Sequence, residues 1–117
     1  MVTACSVSPQ QQMPEAPSWQ TFQTGEASWY SVRTNRGTHT ASGQKLIDSS
    51  YTAAHKTLPF GTKVMVKNLR NGKSEIVSIN NRGPFIKGRV IDVTTGVADK
   101  LGFKSRGVTQ VELKILK

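Results

Sequence analysis

From Lys63 onward the chain is built of short apolar runs in alternation. Lys63-Val-Met-Val-Lys-Asn68 and Glu75-Ile-Val-Ser-Ile79 are β-branched stretches of strand length, and Asn71-Gly72 between them is the strongest short hairpin signal a sequence carries. Further strands are predicted at Glu26 to Ser31, at Arg89 to Val93 and at Val108 to Leu116, where Val111, Leu113 and Ile115 alternate with Glu112, Lys114 and Leu116. Short strands separated by glycine turns predict a small barrel. One stretch changes period: Thr95 to Leu101 places Val97, Ala98 and Leu101 on one helical face, with Thr94 or Thr95 to cap its start and Gly102 to end it.

Before Gly25 the pattern fades. Ser6 to about Gln23 contains Gln10-Gln-Gln12 and three prolines, and it follows neither a helical nor a strand period. Residues 1–23 are therefore expected to form a tether and residues 24–117 a single domain. At 117 residues the chain can close one core but has no room for a second module. No apolar run approaches the roughly 20 residues that span a bilayer.

Charge adds a partner class to this outline. Hydrophobic residues make up an ordinary 36% of the chain, but the formal net charge is +9, and all 16 Lys and Arg residues lie at Arg33 or later. The excess belongs to the domain and implies a polyanionic partner, such as nucleic acid, a phospholipid surface or the carboxylates and phosphates of a bacterial envelope. No helix-turn-helix, zinc or aromatic-sheet signature accompanies the charge, so nucleic acid is not the expected one.

The chemistry is concentrated at the two ends of the predicted hairpin. Thr52-Ala-Ala-His-Lys-Thr-Leu-Pro-Phe-Gly-Thr62 precedes it and Asn80-Asn-Arg-Gly-Pro-Phe85 follows, so His55 and Asn81 flank one sheet element. With Gly25-Glu-Ala-Ser-Trp-Tyr30, Thr40-Ala-Ser-Gly-Gln44 and Arg89-Val-Ile-Asp-Val93, these make five ordered motifs between Gly25 and Leu116. Together they resemble the rare lipoprotein A (RlpA) family of bacterial peptidoglycan lytic transglycosylases, with a more distant likeness to expansin barrels. The resemblance implies a mainly β fold, a six-stranded double-psi β-barrel with one or two short helices. It also implies a monomer that acts on naked glycan strands of peptidoglycan. The family's frequent C-terminal glycan-binding repeat is not expected in this chain.

Lytic transglycosylases cut between N-acetylmuramic acid and N-acetylglucosamine without water, the muramyl 6-hydroxyl closing on the anomeric carbon. One group must protonate the leaving oxygen and then accept the proton of the 6-hydroxyl, which suits a carboxylic acid of raised pKa. By resemblance the catalytic aspartate aligns with Asn81 and a supporting glutamate with Gln44, and both are amides here. Amides bind sugar hydroxyls but transfer no proton. His55 stands as the family has it and keeps acid and base capacity. Asp92 is the remaining carboxylate candidate, either exposed in a groove or buried as an acceptor for loop amides or for Arg82. Whether the chain is an enzyme or a glycan-binding pseudoenzyme, or a structural partner of wall or division proteins, stays open on these residues.

Arg82, Gly83 and Pro84 are expected to shape a substrate loop, with Arg82 able to clamp a carboxylate. Trp29 and Tyr30 are neighbours on a strand and so face opposite sides, Tyr30 being expected as the more exposed and available to stack on sugar. His39 reads as an incidental loop residue. No metal site is expected from two separated histidines and one cysteine, and no cofactor is implied.

That cysteine, Cys5, permits no intramolecular disulfide. Val2-Thr-Ala-Cys5 resembles the end of a bacterial lipoprotein signal, and Ser6 after it favours the outer membrane, facing the periplasm. Export needs a charged and then an apolar stretch, which the four residues before Cys5 do not supply. Either such a stretch lies upstream of Met1 or the likeness is accidental. Lipid on Cys5 would then be the route to a membrane.

Overall fold

The computed structural model describes residues 18–31 and 39–116. Six strands and one helix follow in chain order: β1 (Trp19–Tyr30), β2 (Thr52–Ala54), β3 (Lys63–Asn68), β4 (Ser74–Asn81), β5 (Arg89–Thr94), α1 (Thr95–Leu101) and β6 (Val108–Leu116). The strands close into a barrel in the order β1-β5-β2-β4-β3-β6. Two neighbouring pairs, β1 with β5 and β2 with β4, run parallel, and the other pairs are antiparallel. This interleaved mixture is the double-psi arrangement, and closure leaves the sheet without an open edge.

The inward residues are those the alternation marks. Val64, Val66, Val77 and Ile79 of the hairpin and Val111 and Leu113 of β6 are all fully buried. Helix α1 packs against this core through Val97, Ala98 and Leu101, with Thr94 accepting a hydrogen bond from the Val97 N–H at 3.4 Å. Gly102 ends the helix at φ 81°, a left-handed conformation that a Cβ would strain.

Two boundaries differ from the sequence expectation. The tether was expected to run to Gln23, yet β1 begins at Trp19 and pairs antiparallel with β6 from Trp19↔Leu116 onward. Polar Gln and Thr residues there obey a ladder supplied from the far end of the chain, which local periodicity cannot register. The register slips between Thr21 and Gln23, a bulge that turns Phe22 and Gln23 toward the same neighbour. The hairpin connection is also longer than a two-residue turn. Asn68 N–H donates to the Lys73 carbonyl at 2.7 Å and closes a loop over Leu69 to Gly72. The expected tether before Trp19, including Cys5, lies outside the described residues.

Candidate functional site

The site is assembled where β2 ends beside the end of β4. Ala54 pairs with Asn81 across the parallel β2–β4 ladder, so His55, the next residue, donates its backbone N–H to the Asn81 carbonyl at 3.2 Å. The loop over residues 40–44 is fastened to the same strand end. Asn81 Oδ1 accepts the Ala41 N–H at 2.8 Å and its own neighbour's, Arg82 N–H, at 3.0 Å. One residue earlier, Asn80 Nδ2 donates to Gln44 Oε1 at 3.0 Å. His55, Asn81 and Gln44 are thus brought to one end of the barrel, but they do not share one cavity. Gln44 lines an open cavity of about 260 Å³ with Ser42, Phe60, Gly61, Ser78 and Asn80, while Asn81 and His55 lie outside its lining.

His55 is buried and both its ring nitrogens are engaged. Nδ1 accepts the backbone N–H groups of Thr57 at 3.1 Å and Leu58 at 3.2 Å, which leaves the proton on Nε2 to be donated to Gln23 Oε1 at 2.9 Å. Burial, and then the charges of Arg82 and Lys56, push its pKa below the usual histidine value. A neutral ring with Nδ1 already accepting two N–H groups is a poor proton acceptor in this structure. Gln23, expected in the tether, is the residue that fixes it, and Phe22 lies against it with ring centroids 5.8 Å apart.

Asp92 behaves differently. It is half-buried on β5, beside Ala54 of β2 and Ser28 of β1, and accepts a hydrogen bond from the Ser28 hydroxyl. Burial raises its pKa above the usual carboxylate range, against the lowering effects of the Ser28 hydrogen bond and the Arg89 charge. The charge of Asp92 is in turn felt at Tyr30, whose hydroxyl pKa is raised first by burial and is also influenced by Asn81 and Thr52 nearby. Asp92, Tyr30 and Asn81 therefore form a second cluster beside the cavity that Gln44 lines. Asp92 does not pair with Arg82, one of the two roles considered for it.

Tyr30 reverses an expectation. It is the buried member of its pair, packed with Leu46 and Ala54, and its hydroxyl has no partner of regular hydrogen-bond geometry among the described residues. Trp29 is the partly exposed one and donates from Nε1 to the Lys104 carbonyl at 3.0 Å. The strand's alternation separated the two rings, while the direction was set by which face β2 and the Leu46 segment cover. Arg82 is likewise used differently, its Nη1 donating to the carbonyls of Leu58 at 2.8 Å and His55 at 3.2 Å rather than to a carboxylate. Its guanidinium also lies 4.1 Å over the Phe60 ring. Gly83 and Pro84 are buried, joined by a cis peptide bond with Gly83 at φ 122°, and so shape the loop from inside. His39 forms an isolated bridge with Lys45.

Phe60, Asn80 and Ser28 are the contributors that pattern reading passed over. Asn80 was visible only as one half of Asn80-Asn81, and nothing in the pattern told which of the two would meet Gln44. Another cavity, of about 320 Å³, lies elsewhere, lined by Glu26, Leu69, Arg70, Arg106 and their neighbours near the β3–β4 turn. None of the residues above belongs to it. Among the described residues no group of three His, Cys, Asp or Glu side chains gathers to hold a metal, and no helix is long and apolar enough to cross a membrane.

Comparison with known proteins agrees with the fold and the family resemblance. Residues 22–113 match the double-psi barrel family described as "Lytic transglycolase". The chain is 52% identical over 92 residues to a probable endolytic peptidoglycan transglycosylase RlpA of Synechocystis sp., covering 79% of this chain and 28% of that protein. It is 48% identical over 92 residues to the endolytic peptidoglycan transglycosylase RlpA of Neisseria meningitidis serogroup A, covering 79% and 38%. The chain thus spans well under half the length of these curated relatives. A Streptomyces papain inhibitor shares the fold at TM-score 0.63 and 23% identity, covering 83% of this chain and 94% of that one. On its sequence matches and its closed six-strand ring, the chain belongs to the lytic transglycolase family of double-psi β-barrels.

Proposed function

We propose that this domain binds glycan strands of peptidoglycan and cleaves them as an endolytic lytic transglycosylase, with Asp92 as the proton-transfer group. The observation that carries the reading is Asp92 itself, a half-buried carboxyl whose proton affinity burial raises, beside Tyr30 and Asn81. Protonated Asp92 gives its proton to the glycosidic oxygen as the bond to the muramyl anomeric carbon breaks. The resulting carboxylate then takes the proton of the 6-hydroxyl as that oxygen closes on the same carbon. The proton passes from the 6-hydroxyl to the leaving sugar through Asp92, and no water is consumed. Gln44 and Asn81, the family's acidic positions, serve as hydrogen-bonding amides, and His55 positions the end of β2 through Gln23 and the Thr57 and Leu58 amides.

A second reading, a glycan-binding pseudoenzyme, is favoured by one observation. The three positions that the family resemblance assigns to catalysis are two amides and an imidazole whose ring nitrogens are both engaged. The experiment that separates the readings is release of 1,6-anhydro ends from naked glycan by the unmodified protein and by Asp92→Asn. Release that falls by about 10² or more in the variant supports Asp92. No release by either supports the pseudoenzyme. This substrate supports a location in the cell envelope, and Val2-Thr-Ala-Cys5 with Ser6 supports an outer-membrane lipoprotein facing the periplasm, anchored through lipid on Cys5.

A further inference from the structure

The cavity lined by Gln44 contains an aromatic ring that none of the chemistry above uses. Phe60 is 43% exposed and shares this cavity with four polar neighbours. One face of the ring is covered by the Arg82 guanidinium, and Arg82 is itself fixed by the carbonyls of His55 and Leu58. The ring is therefore held in one orientation, with its remaining exposed surface on the cavity that Ser42, Gln44, Ser78 and Asn80 also line. A flat apolar surface edged by amides and hydroxyls matches a pyranose ring, whose axial C–H groups form an apolar face and whose substituents are polar at the rim.

Gln44 gives the cavity a sign. Its Oε1 accepts from Asn80 Nδ2, which fixes the amide so that Nε2, a donor with no partner among the described residues, is offered to a ligand. A glutamate there would offer acceptors only. Asn80 is 5% exposed and its own Oδ1 finds no partner among the described residues, which shows that the hydrogen bonding of this wall is incomplete in the protein alone. The cavity of about 260 Å³ is close to the size of one amino-sugar residue.

We infer that Phe60 and Gln44 form an N-acetylhexosamine subsite, in which the sugar ring stacks on Phe60 and its acetamido carbonyl accepts a hydrogen bond from Gln44 Nε2. The inference rests on the glycan-strand reading and adds to it a stacking residue and a reason to prefer N-acetylated sugars. It makes Gln44 a specificity residue in this chain.

The test is calorimetric or NMR titration of the intact protein with chitotetraose and with cellotetraose, which lacks the acetamido groups. Wild type is expected to bind chitotetraose about tenfold more tightly than cellotetraose. Phe60→Leu, which keeps an apolar side chain against Arg82, is expected to lose about tenfold for both sugars, and Phe60→Tyr to restore it. Gln44→Glu is expected to lose the preference for chitotetraose while keeping the affinity for cellotetraose. Unchanged affinities in folded Phe60→Leu and Gln44→Glu, with wild type still binding or cleaving glycan, would overturn the subsite and leave the glycan reading standing. Wild type that neither binds chitotetraose nor cleaves naked glycan would overturn both.

Discussion

Two asparagines at opposite ends of the same hairpin differ in how completely the barrel satisfies their side chains. Asn68, at the turn end, is fully buried, and every polar atom of its side chain is used. Its Nδ2 donates to the Leu101 carbonyl at 2.9 Å, and its Oδ1 accepts from the Arg70 N–H at 3.0 Å and the Thr109 hydroxyl at 2.8 Å. Asn80, roughly 20 Å away along β4, is nearly as buried, yet its Oδ1 has no partner among the described residues. Asp92 lies near Tyr30 with its pKa raised. A buried polar group left short of partners lowers stability, so such groups accumulate where a ligand or a proton transfer needs them. In the proposed function the end with Asp92 carries the chemistry, and Asn68 at the turn end serves structure.

The strongest way to break this contrast is at Asp92. Asp92→Asn is expected to reduce anhydro-end release by about 10² to 10⁴ without lowering the melting temperature at neutral pH. The sign follows from linkage: a carboxyl with a raised folded-state pKa is relatively destabilising once pH exceeds that pKa, and the neutral amide removes this while still accepting from Ser28. A variant that unfolds along with its loss of activity would make Asp92 a structural acceptor.

At the opposite end the effect should be on stability alone. Asn68→Ala removes three hydrogen bonds and leaves the buried Thr109 hydroxyl without its acceptor, which is expected to lower unfolding free energy by about 3 kcal/mol. Urea denaturation measures this. Glycan binding per folded molecule should be unchanged, and a matching loss of binding would end the separation between the two regions.

His55 sharpens the contrast through pH. Its folded-state pKa is depressed, so the unfolded chain takes up its proton first as pH falls below about 6.5. Stability contributed by the neutral ring is present above that pH and is lost as pH drops through the window down to the folded value. Melting temperatures between about pH 7.5 and 5 should fall more in wild type than in His55→Gln. Equal slopes would show that His55 does not set the acid sensitivity.

The smallest expected effect is at Asn81. A carboxylate there would accept the Ala41 and Arg82 N–H groups that Oδ1 now accepts, and such donors hold a carboxyl ionised and unable to act as an acid. Asn81→Asp should therefore change anhydro-end release by less than about threefold. A gain much beyond that would transfer the proton-donor role from Asp92 to position 81.

The sequence by itself determined the local elements and the chemistry on offer. β3 and β6 match their expected bounds, as does α1 with its Thr94 cap and Gly102 end, because alternation, capping and turn residues act over a few neighbours. The motifs that carry the family resemblance were equally plain, as was the presence of amides at Gln44 and Asn81, where that resemblance implies carboxylates. Only the tertiary structure decided how these pieces were used. β1 starts at Trp19 because β6, about 90 residues later, supplies the ladder. Tyr30 faces inward because Leu46 and Ala54 cover that side, and His55 is silenced by Gln23, Thr57 and Leu58. Asp92 holds its proton more tightly because the closed barrel removes water from it. Burial and cross-strand pairing are properties of chain closure, and no local window of residues contains them.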